Sequence, residues 1–111
     1  MAYRKIEILL PLYHNPDKNG TRTKIGDREF SETYQDLVNR FGGCTINPTL
    51  QSGGWINPET GQEIKDVLTI YWIICEESEE NTIFLKGFKD ILKKRFRQDN
   101  IMMFSMPINK F

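Results

Sequence analysis

Leu68-Thr69-Ile70-Tyr71-Trp72-Ile73-Ile74-Cys75-Glu76 reads as a β-strand with no solvent-facing side. Side chains alternate along a strand, so Leu68, Ile70, Trp72 and Ile74 share one face while Tyr71, Ile73 and Cys75 share the other. A strand covered on one side only shows a polar residue at every second position. This one asks for cover on both. Two amphipathic helices elsewhere in the chain can supply one cover. The other has to come from a second subunit, a ligand or a partner.

Upstream of this run, a strand region from about Cys44 to Ile56 is interrupted by Pro48 and Gly53-Gly54, which predict a bulge or break. Asn57-Pro58-Glu59-Thr60-Gly61 has turn chemistry and leads into the apolar strand, which begins near Val67, so the two form a hairpin. A first strand spans about Lys5 to Leu12, with Ile6, Ile8, Leu10 and Leu12 on one face; Pro11 predicts fraying or an edge there. Phe30, Tyr34, Leu37, Val38 and Phe41 recur at helical spacing and predict a helix over about 29–41. Asp27 or Ser31 is its expected cap and Gly42-Gly43 its stop. Phe84, Leu85, Phe88, Ile91, Leu92 and Phe96 predict a second helix over about 82–97. Gly87 costs this helix about 1 kcal/mol relative to alanine, a cost expected to permit close packing onto the sheet. Ile101 to Met106 is a last strand, again apolar on both sides.

The order β-α-β-β-α-β predicts a ferredoxin-like α+β domain, a four-stranded antiparallel sheet with both helices on one face. Its spatial strand order is 4-1-3-2, which places the doubly apolar strand in the centre. The 111 residues make one domain, with a long polar loop at 13–28. Loops of that length are usually functional or disordered; Asn15-Pro16-Asp17 and Asn19-Gly20 allow a short hairpin within it.

Fifteen basic and fifteen acidic residues balance, which removes a global field for nucleic acid or an anionic membrane. Cys44 and Cys75 are too few for a disulfide framework or a metal site and read as buried, inert thiols. No apolar run approaches the roughly 20 residues of a membrane span. The start of the chain, with Arg4, Lys5 and a short apolar run broken by Glu7 and Pro11, reads as a strand rather than a signal peptide. The expected location is the cytoplasm.

The uncovered sheet face is the first candidate site. Met102, Phe104 and Met106, with Tyr71, Ile73, Leu9 and Trp55, are its candidate residues. An apolar surface of that size predicts either an isologous homodimer, sheet against sheet, or a ligand cavity. For a ligand, Trp55, Tyr71, Met102 and Phe104 would give apolar contact, and Thr45 and Gln98 would give orientation. His14, the one histidine, stands at the mouth of the long loop and is the weak catalytic candidate, as a general base with a carboxylate, against the plainer reading of a solvated loop residue. Lys86, Lys89, Lys93 and Arg97 share a helix face that could follow phosphates. Their crowding at the helix end also suits the helix dipole, and Asp90 interrupts them, so nucleic acid is the weaker reading. No cluster has metal-ligand spacing and no glycine loop has the order of a phosphate cradle, so no metal or cofactor is expected.

Phe30-x-x-Thr33-Tyr34-x-x-Leu37, Phe41-Gly42-Gly43-x-Thr45, Gly54-Trp55, Gly61 and Asp66, followed by the apolar strand, resemble families of small uncharacterised bacterial proteins of unknown function. Those families share a helix, an F-G-G-x-T or F-x-x-G-x-T turn and a Gly-Trp or Gly-x-Trp strand. The resemblance covers most of residues 5–104 outside the 13–28 loop. It implies a bacterial protein of this fold. Some relatives of this general fold are dimeric α+β barrels that bind small molecules or carry out cofactor-free chemistry; no catalytic residue is carried across. The reading that follows is a homodimeric interaction or small-ligand-binding module without catalysis. A small cofactor-free enzyme using His14 near the 13–28 loop is the alternative, and a nucleic-acid binder or nuclease using the second helix is the third.

Overall fold

The computed structural model describes residues 1–111. In chain order it contains β1 (Tyr3–Pro11), α1 (Asp27–Phe41), β2 (Thr45–Ile56), β3 (Glu63–Glu76), α2 (Glu79–Arg95) and β4 (Met102–Ile108). The strands form one antiparallel sheet in the order β2-β3-β1-β4. With both helices against one face, this is the expected ferredoxin-like α+β fold, and the doubly apolar strand is central in it.

The register decides what the alternation left open. Ile6 pairs with Ile73 and Ile8 with Tyr71, and these residues are buried with Cys75 and Leu10 in one cluster with Leu37, Phe88, Leu92 and Phe96 of the helical layer. Tyr71 and Ile73 therefore face the helices, not the open side of the sheet. The open face carries Leu9, Ile70, Trp72, Met102, Phe104 and Met106, since Glu7 pairs with Trp72 and Phe104, and Leu9 with Ile70 and Met102. It is not bare. The Lys5 ammonium sits 4.6 Å over the Trp72 ring and 3.3 Å from Glu7, so charged side chains lie across its centre.

Local details follow from chemistry and correct three expectations. The N-cap of α1 is Gly26, and neither Asp27 nor Ser31 caps it; acidic Asp27 and Glu29 in the first turn favour the helix through its dipole instead. The irregularity in the β2–β3 ladder falls between Asn47 and Gln51, beside Pro48, because proline has no amide to donate. Gly53 and Gly54 pair in regular register with Asp66 and Lys65. Gly87 points away from the sheet, with nothing within 4 Å of where its side chain would be, so it permits no packing within the fold. Gly42 does end α1, at φ 83°, a left-handed conformation that glycine adopts without steric cost. Pro11 closes β1 just past the last β4 pairing, Leu9 with Met102, where its missing amide leaves no ladder bond unmade.

Two features position the candidate site. The β2–β3 hairpin runs out beyond the helices as an arm: from Pro48 to Ile56 every β2 residue except Trp55 is exposed, and the molecule measures 49 × 27 × 26 Å. The 13–28 loop is ordered as a short hairpin that leans back on the sheet. His14 and Asp17 backbone amides bond to Thr23 and Thr21, the Asp17 carboxylate accepts from the Asn19 and Thr21 amides, and Ile25 is buried in the core.

Candidate functional site

Trp55 stands in the outer part of the arm, opposite Ile64, and its indole is fixed by a chain of bonds. Asp66 lies diagonally across the β2–β3 ladder from it, and the Trp55 Nε1–H donates to Asp66 Oδ2 at 3.1 Å. The other carboxylate oxygen accepts from the Arg22 guanidinium at 2.7 Å. Arg22 also donates to the Lys65 carbonyl and, at 3.0 Å, to the His14 carbonyl. One guanidinium thus ties the loop hairpin to the arm, and the aspartate passes that order on to the tryptophan ring. Asp66 and Arg22 retain only 14% and 20% of their side-chain exposure, so the pair is held largely away from solvent screening.

The ring forms one wall of a cleft of about 380 Å³. Met102, at the start of β4, and Gln98, in the α2–β4 turn, line it too, together with Asn15 and Asp99. Gln98 is held by its side-chain amide, which donates to the carbonyls of Phe96 at 3.0 Å and Tyr13 at 3.3 Å. A second, more polar cleft of about 630 Å³ opens on the far side of Trp55, between the loop tip at Asn15–Gly20 and the arm. The two share Trp55, Asn15 and Asp99, so the indole divides one larger recess. Such a place can stack a flat ring against Trp55 and Met102 and hydrogen-bond its edge through Gln98 and the asparagines.

Trp55, Gln98 and Met102 are thus brought together. Three other residues expected beside them are not. Thr45 lies at the start of the edge strand, opposite Trp72; Tyr71 is buried against the helices; and Phe104, two residues past Met102 in β4, borders the groove beside α2 instead of the cleft. Arg22, Asp66 and Asn15 join the site without having been singled out for it. The signal for Asp66 was a carboxylate in a strand across from a tryptophan, legible only once the register is known. Burial pushes the Tyr71 phenol and the Cys75 thiol up, and lifts the Cys44 thiol to about 11, so these groups stay protonated and unreactive at neutral pH.

His14 borders a separate polar cleft of about 540 Å³ with Glu29, Lys94 and Arg97. Its Nδ1 is 3.1 Å from the Phe96 carbonyl oxygen. A carbonyl only accepts, so in the neutral imidazole Nδ1 carries the hydrogen and Nε2 presents its lone pair. Arg97 follows α2 at φ 51°, in the left-handed position that usually belongs to glycine. The cationic side chains expected to follow phosphates divide: Lys86 and Lys89 line a groove of about 280 Å³ beside β4, while Arg97 turns to the His14 cleft.

No family model and no curated protein matches the chain. Solved structures do. A phage SAM lyase in its apo state superposes with a TM-score of 0.64 at 18% identity, over 96% of this chain and 81% of that one. A phage SAM lyase in complex with S-methyl-5'-thioadenosine superposes with a TM-score of 0.63 at 18% identity, over 98% and 90%. The likeness is one of fold. No helix of the chain is long and apolar enough to cross a membrane.

Proposed function

We propose that this protein binds a small molecule in the Trp55 cleft, and that the ligand belongs to the nucleoside thioethers. The observation that carries the reading is the braced indole: a tryptophan plane held by Asp66 and Arg22 and bordered by Met102 and Gln98. A purine has a flat face for the ring and polar edges for amides; a thioether suits an apolar wall. The fold likeness to a protein in complex with S-methyl-5'-thioadenosine supports this choice of ligand class.

Titration with S-methyl-5'-thioadenosine, followed by calorimetry and by tryptophan fluorescence, tests it. Saturable one-to-one binding is expected, retained in Trp72→Phe and lost in Trp55→Ala. A folded wild-type protein that gives no heat and no quenching with this ligand would sink the proposal.

A second reading, a small enzyme, is favoured by the fixed tautomer of His14, whose Nε2 is set to accept a proton in a cleft that Glu29 also lines. Its test is chromatography of S-adenosylmethionine incubated with the protein. Consumption that disappears in His14→Ala would support it; an untouched substrate would leave the binding reading alone.

A further inference from the structure

The outer face of α2 carries an apolar ridge that nothing in the monomer covers. Ile83 and Ile91 are 63% and 49% exposed, large apolar side chains set into water on a helix whose inner face is already packed. Between them, one turn from each, lies Gly87. Glycine weakens a helix interior, yet no atom of the fold comes within 4 Å of the space a side chain would fill there. Residues four apart form a ridge on a helix, so Ile83, Gly87 and Ile91 make one ridge with a notch at its middle.

The charges around the notch are symmetric in position and opposite in sign. Glu80 lies seven residues before Gly87 and Lys94 seven residues after it, both exposed and neither in an ion pair. We infer that α2 is the contact between two copies of this chain, packed antiparallel about a two-fold axis at Gly87. In that arrangement Gly87 meets the partner's Gly87, Ile83 meets the partner's Ile91, and Glu80 meets the partner's Lys94. The notch lets the backbones approach, the isoleucines leave water, and each charge finds its opposite twice over because the contact is isologous. Antiparallel packing also sets the helix dipoles head to tail.

A second copy fits better than another occupant because the pattern reads the same from either end with its charges exchanged. The open face of the sheet lacks this property. There Lys5 already covers Trp72 and pairs with Glu7 of its own strand. Self-association through α2 moves the expected interface from the sheet to the helical layer and leaves the Trp55 cleft accessible.

Sedimentation velocity across the micromolar range tests the contact. The wild type is expected to be a concentration-dependent dimer. Glu80→Lys and Lys94→Glu each turn two facing pairs repulsive and are expected to weaken association about tenfold. An equimolar mixture of these two variants restores every pair and should recover the dimer as a heterodimer, as should the double exchange in one chain. Gly87→Glu, which fills open space in the monomer, should sediment as a monomer with its helical circular dichroism intact. A wild type that is monomeric throughout overturns the inference. So does a dimer indifferent to the charge exchanges, which would return the interface to the sheet.

Discussion

Arg22 and Arg95 do the same job in two regions with different consequences. Each closes a gap between segments remote in sequence, and each is mostly buried. Arg95 reaches from α2 to α1, donating to the Thr33 hydroxyl at 2.9 Å and to Asp36 at 2.7 Å, with Glu32 at 3.7 Å. Its acceptor carboxylates are over two-fifths exposed, and the helices it joins already share a packed core. Arg22 joins a loop to an arm that has little core of its own, and its carboxylate partner is itself held from water. Where packing already fixes the geometry, an ion pair adds little. Where it does not, the ion pair is what sets the geometry. On this comparison, damage to the Arg22 region should be felt both in stability and at the Trp55 cleft, and damage to the Arg95 region in stability alone.

The largest expected effect is that of Asp66→Ala. It strands the Arg22 guanidinium in a half-buried place and frees the Trp55 indole, for a loss of about 2–4 kcal/mol in a urea titration. Backbone exchange should rise in the 13–24 hairpin and the arm together. Arg95→Met keeps most of the apolar stem, and Thr33 still donates its hydroxyl to Glu29, so about 1–2 kcal/mol is expected, with no change in the exchange of the arm. Equal costs for the two, with no loosening of the arm in the first, would break the comparison. Trp55→Phe isolates the last link of the chain. It keeps an aromatic ring in the wall while deleting the bond to Asp66 and part of the indole's area, for about 1–2 kcal/mol. Affinity for S-methyl-5'-thioadenosine should fall more than stability does.

At the helix end between the two regions, Arg97 holds a left-handed backbone. Arg97→Gly should raise stability by about 1 kcal/mol in thermal unfolding, since a side chain is strained at φ 51°. A loss instead would mean that the Arg97 side chain holds the His14 cleft together.

Much of the architecture was legible because burial is written in periodicity. The run at 68–76, the Phe30–Phe41 stripe and the Phe84–Phe96 stripe each found their element, and β1 and β3 became the central strands. Which side of β3 the helices cover was not legible, because both its faces are apolar; Tyr71 fell on the covered side and Trp72 on the open one. Nor was the burial of Thr33, a polar residue hidden because its hydroxyl both donates to Glu29 and accepts from Arg95. The candidate site was half legible. Trp55, Gln98 and Met102 stood out by residue type, while Arg22 and Asp66 meet across 44 positions of chain, and Asp66 meets Trp55 through a register that the irregularity at Asn47–Gln51 displaces.

Alkaline pH probes the core under the helices, away from both arginines, by a different route. Burial lifts the Cys44 thiol from its ordinary value of 9.0 to about 11, and it raises the Cys75 thiol and the Tyr71 phenol in the same direction. In the unfolded chain Cys44 releases its proton near 9, whereas the folded protein keeps it until about 11. Between those values the unfolded state binds fewer protons, so the slope of stability against pH is negative. The contribution is whole below about pH 9, declines as pH rises through the window, and is fully lost above both values. The midpoint of urea unfolding should therefore drop between about pH 8 and about pH 11. Cys44→Ala removes one of the three groups and should make the drop shallower without abolishing it. An unchanged drop in that variant would place the alkaline sensitivity on Tyr71 and Cys75, deeper under the helices, and would mean that the Cys44 end of β2 is more open to water than its packing against the core indicates.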